Sequence, residues 1–311
     1  MSAPSHVCLI GLGEVGRVFA EQLKARGVAR ITAWDLLFGQ AGGKPARNAA
    51  ETGAEACRSA AEAVKGAQLV VSAVTAAQAL AAARAAAPAI SDGAWFWDLN
   101  SASPGVKAAA GKAIEAAGGR YVEAAVMSSY PPKRIRTPKL LGGPHAAAFL
   151  EFAKALELNA RIFADEVGPA SATKMCRSVM IKGVEALLAE CLLSARRYGV
   201  EKTVLGSLGD LLPNPDWETH ARYMISRSLI HGKRRAEEMR EVARTVEDAG
   251  VEPWMSRAAA ERQDWAWRRA QEMAPGEVDD QDPYRLLDAV RRVMEQEGVA
   301  SPEALEDAAL P

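Results

Sequence analysis

The chain has 311 residues and a formal net charge of −1, with 49% hydrophobic and 25% charged residues. This apolar fraction excludes a disordered chain, and the balanced charge argues against a dedicated nucleic-acid or polybasic membrane binder. Four cysteines (Cys8, Cys57, Cys176, Cys191) are too few for a disulfide framework, and none stands at CxxC spacing, so no structural metal site is expected. The opening MSAPSHVCLIGLG has neither the charged nor the long apolar region of a signal peptide. The alanine-rich residues 76–90 are broken by Gln78, Arg84 and Pro88, so they do not span a bilayer. A soluble, cytoplasmic protein with reduced thiols and one or two domains is expected.

In chain order, the first half alternates short β-rich runs with helical stretches, the pattern of parallel βαβ units. The first predicted strand covers residues 6–10, and the helix over 15–26 is ended by Gly27. A second strand follows over 30–34. Ser59 and Glu62 stand at capping-box spacing and open a short helix toward Lys65. The third strand covers 68–74, and Thr75 can cap the alanine-rich helix that Pro88 stops. The fourth covers 95–99, after which Ser103-Pro104 supplies an N-cap and a proline at the first helical position. Another strand covers 121–126.

Residues 127–139 carry three prolines, two serines and the basic Lys133, Arg134, Arg136 and Lys139, with no regular period. A loop this long inside a compact domain is expected to be functional. Short strands at 140–141 and 161–163 flank a helix over 145–158. Beyond Gly168-Pro169 the strand signals stop. Residues 170–198, 222–249 and 253–273 have helical spacing, and an acidic tail over 277–311 predicts a last helix or two. A boundary at 165–168 therefore divides a doubly wound parallel domain, 1–166, from a separate all-helical domain, 167–311.

Gly11-Leu12-Gly13-Glu14-Val15-Gly16 is G-x-G-x-x-G, placed directly after a strand and opening a helix. Gly11 permits the tight turn, Gly13 lets the backbone approach a pyrophosphate, and Gly16 allows close helix–strand packing. The helix N-terminus offers free N–H groups to the phosphates. Asp35 ends the second strand 19 residues after Gly16. Its carboxylate is placed to accept from ribose hydroxyls and to repel a 2′-phosphate, which favours NAD over NADP. Lys44 and Arg47 are the groups that could reverse that preference. A Rossmann-type dinucleotide-binding domain is the conclusion. Val74, Thr75 and Asn100 sit at the carboxyl edge of the sheet, where they can contact the cofactor, although Thr75 and Ser101 serve equally well as helix caps.

The helix after the boundary carries Lys174, Arg177, Ser178, Ile181 and Glu185 on one face at ~100° per residue. Together with Asp98-Leu99-Asn100-Ser101 and the strand Glu123-Ala-Ala-Val126, this segment resembles the β-hydroxyacid dehydrogenase family, whose members include 6-phosphogluconate dehydrogenase and tartronate semialdehyde reductase. It is most similar to a poorly characterised subgroup marked by Lys174-Met-Cys-Arg-Ser178 and His231-Gly-Lys-Arg-Arg235. The resemblance implies NAD(P)-linked hydride transfer on a 3-hydroxy acid, with a β-hydroxy amino acid or another substituted acid as the candidates, Lys174 as general acid/base, and a homodimer or homotetramer formed through the helical domain. A lysine desolvated at a domain junction beside Arg177 should titrate nearer the working range.

The chain departs from the family pattern in two places. Arg177 and Ser178 stand where an asparagine is usual, and Met127-Ser128-Ser129 replaces Ser-Gly-Gly. Ser128, Ser129 and Lys133 are then the expected substrate-carboxylate contacts, with Asn100, Arg177, Ser178 and His231 as further substrate contacts. A solvated helix face paired with Glu237 and Glu238 explains the 231–235 cluster equally well. Trp217, Trp254, Trp265 and Trp267 are expected in the core or at a subunit interface. An NADPH-dependent imine reductase and a non-catalytic nucleotide sensor stay open as alternatives.

Overall fold

A computed structural model of the chain describes residues 3–40, 42–209 and 216–296. The chain forms two compact units, one of residues up to Arg177 with Arg244–Val251, the other of Ser178–Ala243 with the residues from Glu252 on. The division falls within a long helix, at Arg177, whereas the sequence expectation puts it at residues 165–168.

The first unit is built on one eight-stranded sheet: β1 (His6–Ile10), β2 (Arg30–Trp34), β3 (Glu55–Ala56), β4 (Leu69–Ser72), β5 (Trp95–Asp98), β6 (Arg120–Val126), β7 (Lys139–Gly142) and β8 (Ala160–Ile162). Their spatial order is β3-β2-β1-β4-β5-β6-β7-β8. All neighbours pair in parallel except β6 and β7. The strand order reverses between β1 and β4, the switch point of a doubly wound sheet.

The helices are α1 (Glu14–Lys24), α2 (Lys44–Thr52), α3 (Ala60–Val64), α4 (Ala79–Ala86), α5 (Pro104–Glu115), α6 (Tyr130–Lys133), α7 (Ala146–Phe152) and α8 (Pro169–Tyr198). The central strands are buried along their whole length, as parallel strands covered on both faces must be. Alternate residues therefore enter different cores. Val7, Leu9, Leu69, Val71 and Trp97 pack with Phe19 and Phe149 on one face. Cys8, Ile10, Val70 and Phe96 pack with Ala82, Ala83, Ala110 and Ile114 on the other, where alanines let α4 and α5 lie close to the sheet.

Several local expectations hold. Ser59 Oγ accepts from Glu62 N–H at 3.1 Å, and the Glu62 carboxylate returns to Arg58 N–H at 2.8 Å. Other parts needed correction. The segment 127–139, read as irregular, contains α6 and a 3₁₀ turn at Arg134–Arg136. Its length is taken up by tertiary ties that leave no period in the sequence. Arg134 pairs with Glu21, Arg136 Nη2 lies 2.6 Å from Glu157, and Lys139 folds inward. Helix α2 and the two-residue β3 were not foreseen.

The second unit holds the rest of α8, with α9 (Glu201–Leu208), most of α10 (Trp217–Asp248), α11 (Trp254–Ala270) and α12 (Pro283–Gln296). Leu188, Leu192, Leu205, Ile225, Leu229, Leu286 and Val290 form its core. Gly232 lets α10 and α11 touch, because a Cβ there would meet the Gln263 carbonyl and Trp267 Cβ. The last part of the predicted acidic tail, from residue 297, lies outside the described residues. Among the described residues no helix is long and apolar enough to cross a membrane.

Lys139 is only 1% exposed and lies under the rings of Phe19, Trp97 and Tyr130, with its Nζ donating to the carbonyls of Ile135 (2.8 Å) and Thr137 (2.7 Å). Burial lowers its pKa to about 7. The unfolded chain therefore holds the proton at pH values where the folded chain has released it, and stability contributed at this site rises with pH from about 7 to the ordinary lysine range. Urea denaturation at a series of pH values should show wild type gaining on Lys139→Met by up to about 1.4 kcal/mol per pH unit between pH 7 and 10, with a constant difference at acid pH. A pH-independent difference would show that the ammonium is not desolvated.

Candidate active site

The glycine loop connects β1 to α1. Gly11 has φ +90°, and a Cβ on it would run into the Ala73 carbonyl at the end of β4. A Cβ on Gly16 would collide with the Gly11 carbonyl. These two glycines therefore hold the fold together. Gly13 is different: nothing lies within 4 Å of the position its Cβ would take. It stands at the N-cap of α1 without a side-chain cap, so the first-turn N–H groups of that helix have no capping side chain from it. An open cradle at a helix N-terminus, made by a residue with no side chain, fits a dinucleotide pyrophosphate.

Two side chains hold the loop in shape. Asp35 accepts from Leu12 N–H through Oδ2 at 2.8 Å and from Leu37 N–H through Oδ1 at 2.9 Å. Asn48 of α2 donates to the carbonyls of Leu12 (2.7 Å) and Gly13 (3.2 Å). The sequence expectation for Asp35 is a ribose contact; what the structure shows is its grip on the loop. Asn48 was missed, because nothing in the α2 sequence marks it as a loop clamp. Arg47 donates to the Gly42 carbonyl, and both it and Lys44 are exposed.

The neighbouring strand ends are fixed by a buried polar cluster. Asp98, 1% exposed at the end of β5, accepts from Lys107 Nζ (2.8 Å), Tyr121 OH (2.7 Å) and Asn100 N–H (2.8 Å). Burial, and then the adjacent Asp98 charge, raises the Tyr121 pKa well above the usual phenol range, so Tyr121 stays a donor. Asn100 spends its side chain on the sheet edge: Oδ1 accepts from Val74 N–H (2.7 Å) and Nδ2 donates to Ser72 Oγ (2.9 Å). The hydroxyl of Thr75 is exposed and makes no cap to the turn that follows. The next residue after Asn100, Ser101, receives Lys174 Nζ at 2.5 Å. Lys174 of α8, half-buried, thus reaches the carboxyl edge of the sheet where the loop, Val74 and Asn100 meet.

Glu123 sets the start of α8. Fully buried on β6, it accepts through Oε1 from the N–H groups of Gly168 (2.8 Å) and Ala170 (3.2 Å). This is a helix N-terminus capped from a strand, which stabilises both the orphan donors and the helix dipole. The residues after β6 lie close by, since Met127 packs on Ala125, Leu140 and Ala170. Ser128, Ser129 and Lys133 follow there with exposed side chains, and Ser129 makes no cap to α6.

Three further expected site residues lie within their own units. Arg177 is exposed at the end of the first unit. Ser178 and His231 belong to the second unit. There Ser178 Oγ accepts from Lys182 Nζ at 3.1 Å, and His231 Nε2 accepts from Arg227 Nη1 at 2.7 Å. The 231–235 cluster is not simply a solvated face. Arg234 does pair with Glu238 one turn on, but Arg235 turns inward to Glu185 on α8.

Residues 6–168 match the NAD binding domain of 6-phosphogluconate dehydrogenase, and residues 195–266 match a domain of unknown function, DUF1932. The chain belongs to the family built on that NAD binding domain. It is similar to a conserved hypothetical protein from Sinorhizobium meliloti 1021, at 39% identity over 94% of this chain and 97% of that one, with a TM-score of 0.69. It is also similar to a conserved protein of unknown function whose structure was described as resembling 3-hydroxyacid dehydrogenases, at 32% identity over 86% and 98% of the two chains, TM-score 0.63. A 3-hydroxyisobutyrate dehydrogenase from Mycobacterium tuberculosis shares the fold at 16% identity over 94% and 99%, TM-score 0.63. No curated protein matches. The fold is therefore that of the 3-hydroxyacid dehydrogenases, with an NAD(P)-binding domain.

The contrast among the glycines gives a direct test. Gly13→Val should fold with a melting temperature near wild type, because its side chain enters open space, yet lose NADH affinity by about tenfold or more. Gly16→Val should lose the fold itself. Fluorescence titration with NADH alongside thermal melts checks both; undiminished NADH binding by Gly13→Val would remove the loop from the cofactor site.

Proposed function

We propose that the protein is an NAD-preferring oxidoreductase that interconverts a substituted 3-hydroxy acid and its oxo acid, with Lys174 as general acid/base. The observation that carries this reading is the Lys174–Ser101 hydrogen bond, which puts an amine at the sheet edge beside the glycine loop. The loop residues 11–16 would hold the pyrophosphate, Asp35 the ribose, and Val74, Thr75 and Asn100 the edge of the nicotinamide half. When bound, the cofactor supplies the hydride acceptor in oxidation and the donor in reduction.

The chain's own residues handle the proton and the carboxylate. In oxidation, neutral Lys174 Nζ takes the proton from the substrate hydroxyl as the C–H bond gives up its hydride; in reduction the ammonium returns it. Ser101 Oγ, accepting from Nζ, holds the amine in one orientation. Ser128 and Ser129, exposed after β6, and Lys133 supply hydroxyl donors and positive charge for the substrate carboxylate. Their difference from Ser-Gly-Gly supports a substrate bulkier than the family's short acids. A homodimer or homotetramer through the helical unit belongs to the same proposal, supported by the exposed Leu187, Trp254 and Met255.

Lys174→Ala should lower turnover by ~10²–10⁴-fold while leaving NADH affinity intact. The assay is NADH appearance with NAD⁺ and a panel running from 3-hydroxyisobutyrate to serine, threonine and phenylserine. Wild-type turnover in the variant would sink the assignment of Lys174. Silence of the wild type across the panel, with NADH still bound, would favour imine reduction or a sensor. The cofactor preference has its own test. Asp35→Asn keeps an acceptor for the loop but removes the charge, and the NAD/NADP affinity ratio should fall about tenfold, the equivalent of one lost charge-assisted hydrogen bond. An unchanged ratio would mean that another group reads the ribose.

A further inference from the structure

The helical unit contains a charge cluster that the chemistry above does not use. Lys182 Nζ pairs with Glu238 at 2.9 Å, Arg235 pairs with Glu185, and Gln263 donates to Glu185 at 3.3 Å. All of these residues are buried, and the two cations are matched by two carboxylates. Arg234 adds a largely exposed cation on the outer side of Glu238.

Arg227 is the exception. It donates through Nη1 to His231 Nε2 at 2.7 Å, its Nε–H is buried without an acceptor, and among the described residues no carboxylate pairs with it. His231 brings no negative charge. Burial, with Arg227, Arg234 and Arg235 around it and only Glu238 opposing, lowers its pKa to about 4, so near neutrality it is an uncharged acceptor. A half-desolvated guanidinium with no counter-charge is costly unless an anion completes it. The buried Nε is out of a ligand's reach, so a planar carboxylate would meet the guanidinium at its Nη1 and Nη2 end.

The residues beside it indicate what that carboxylate is attached to. Tyr223, Arg227, Ile230 and His231 share one face of α10 at i, i+4, i+7 and i+8. Tyr223 is 49% and Ile230 43% exposed, and Arg227 Cζ lies 6.0 Å from the Tyr223 ring centroid. We propose that this face is a carboxylate-binding site in which Arg227 grips the ligand carboxylate, His231 fixes the plane of the guanidinium, and Tyr223 and Ile230 cover an apolar or aromatic substituent.

The proposal does not rest on the dehydrogenase reading, and its test uses neither cofactor nor turnover. The probe is 3-phenylpropionate, titrated calorimetrically into the full-length protein. Its controls are 3-phenylpropanol, which lacks the charge, and propionate, which lacks the ring. Saturable binding is expected, with each control about tenfold weaker or more. Arg227→Gln should weaken binding at least about tenfold, and Arg227→Lys should fall between that variant and wild type, since it keeps the charge and loses the fork. Thermal melts confirm that both variants fold; if Arg227→Gln does not, the Arg227→Lys comparison decides.

Because His231 stays neutral, affinity should be constant from pH 5.5 to 8. Affinity that falls as pH rises through 6–7 would make the histidine the cation and overturn the assignment. Absence of binding, equal binding of the alcohol, or unchanged affinity in the Arg227 variants would each overturn it as well.

Discussion

The buried carboxylate of Asp98 is the contact on which the candidate site depends. It ends β5 with a charge taken almost wholly out of water, a state that is stable only because Lys107, Tyr121 and the Asn100 N–H saturate it. Lys107 also donates to the Asp98 carbonyl at 2.9 Å, so the same ammonium anchors helix α5 and the strand end together. Removing one partner from such a pair typically costs about 3–5 kcal/mol, because the other charge is left stranded. The chain leaving Asp98 is thereby fixed in direction. Asn100 reaches across to β4, and Ser101 is presented to Lys174.

Glu123 plays the complementary part on the next strand. In register, Asp98 at the end of β5 lies opposite Glu123 in the middle of β6, so two adjacent strands carry buried carboxylates with different tasks. One organises the loop that receives Lys174, and the other organises the helix that carries it. The site is therefore assembled from rigid strand ends and a capped helix start, the arrangement that holds a proton-transfer group to a narrow range of positions.

Much of this was legible in the sequence, for reasons that are local. The glycine loop is written in contiguous residues, because backbone geometry demands glycine at Gly11 and Gly16. The central strands show as apolar runs because both faces are covered. Lys174 could be singled out because a polar face at the start of a long apolar helix is unusual. What was not legible depends on pairs distant in sequence. Asn48 clamps a loop some thirty-five residues away, and nothing in its helix requires it. Arg227 looks like one more basic residue of an exposed helix until His231 and the missing carboxylate are seen beside it. Segment 127–139 lacks a period because its order comes from Glu21, Glu157 and an aromatic pocket that Phe19 and Trp97 complete from outside it.

That aromatic pocket has a consequence that follows from counting donors. Lys139 Nζ serves two carbonyls, Ile135 and Thr137, and an uncharged amine still carries two N–H groups. Losing the proton therefore breaks neither hydrogen bond and removes only the charge that burial disfavours. The attachment of the serine-bearing segment to the sheet is thus built to be indifferent to the ionisation of the group that makes it. An ion pair in the same position would have loosened as the solution became more alkaline; this amine lets the segment keep its geometry on both sides of neutrality.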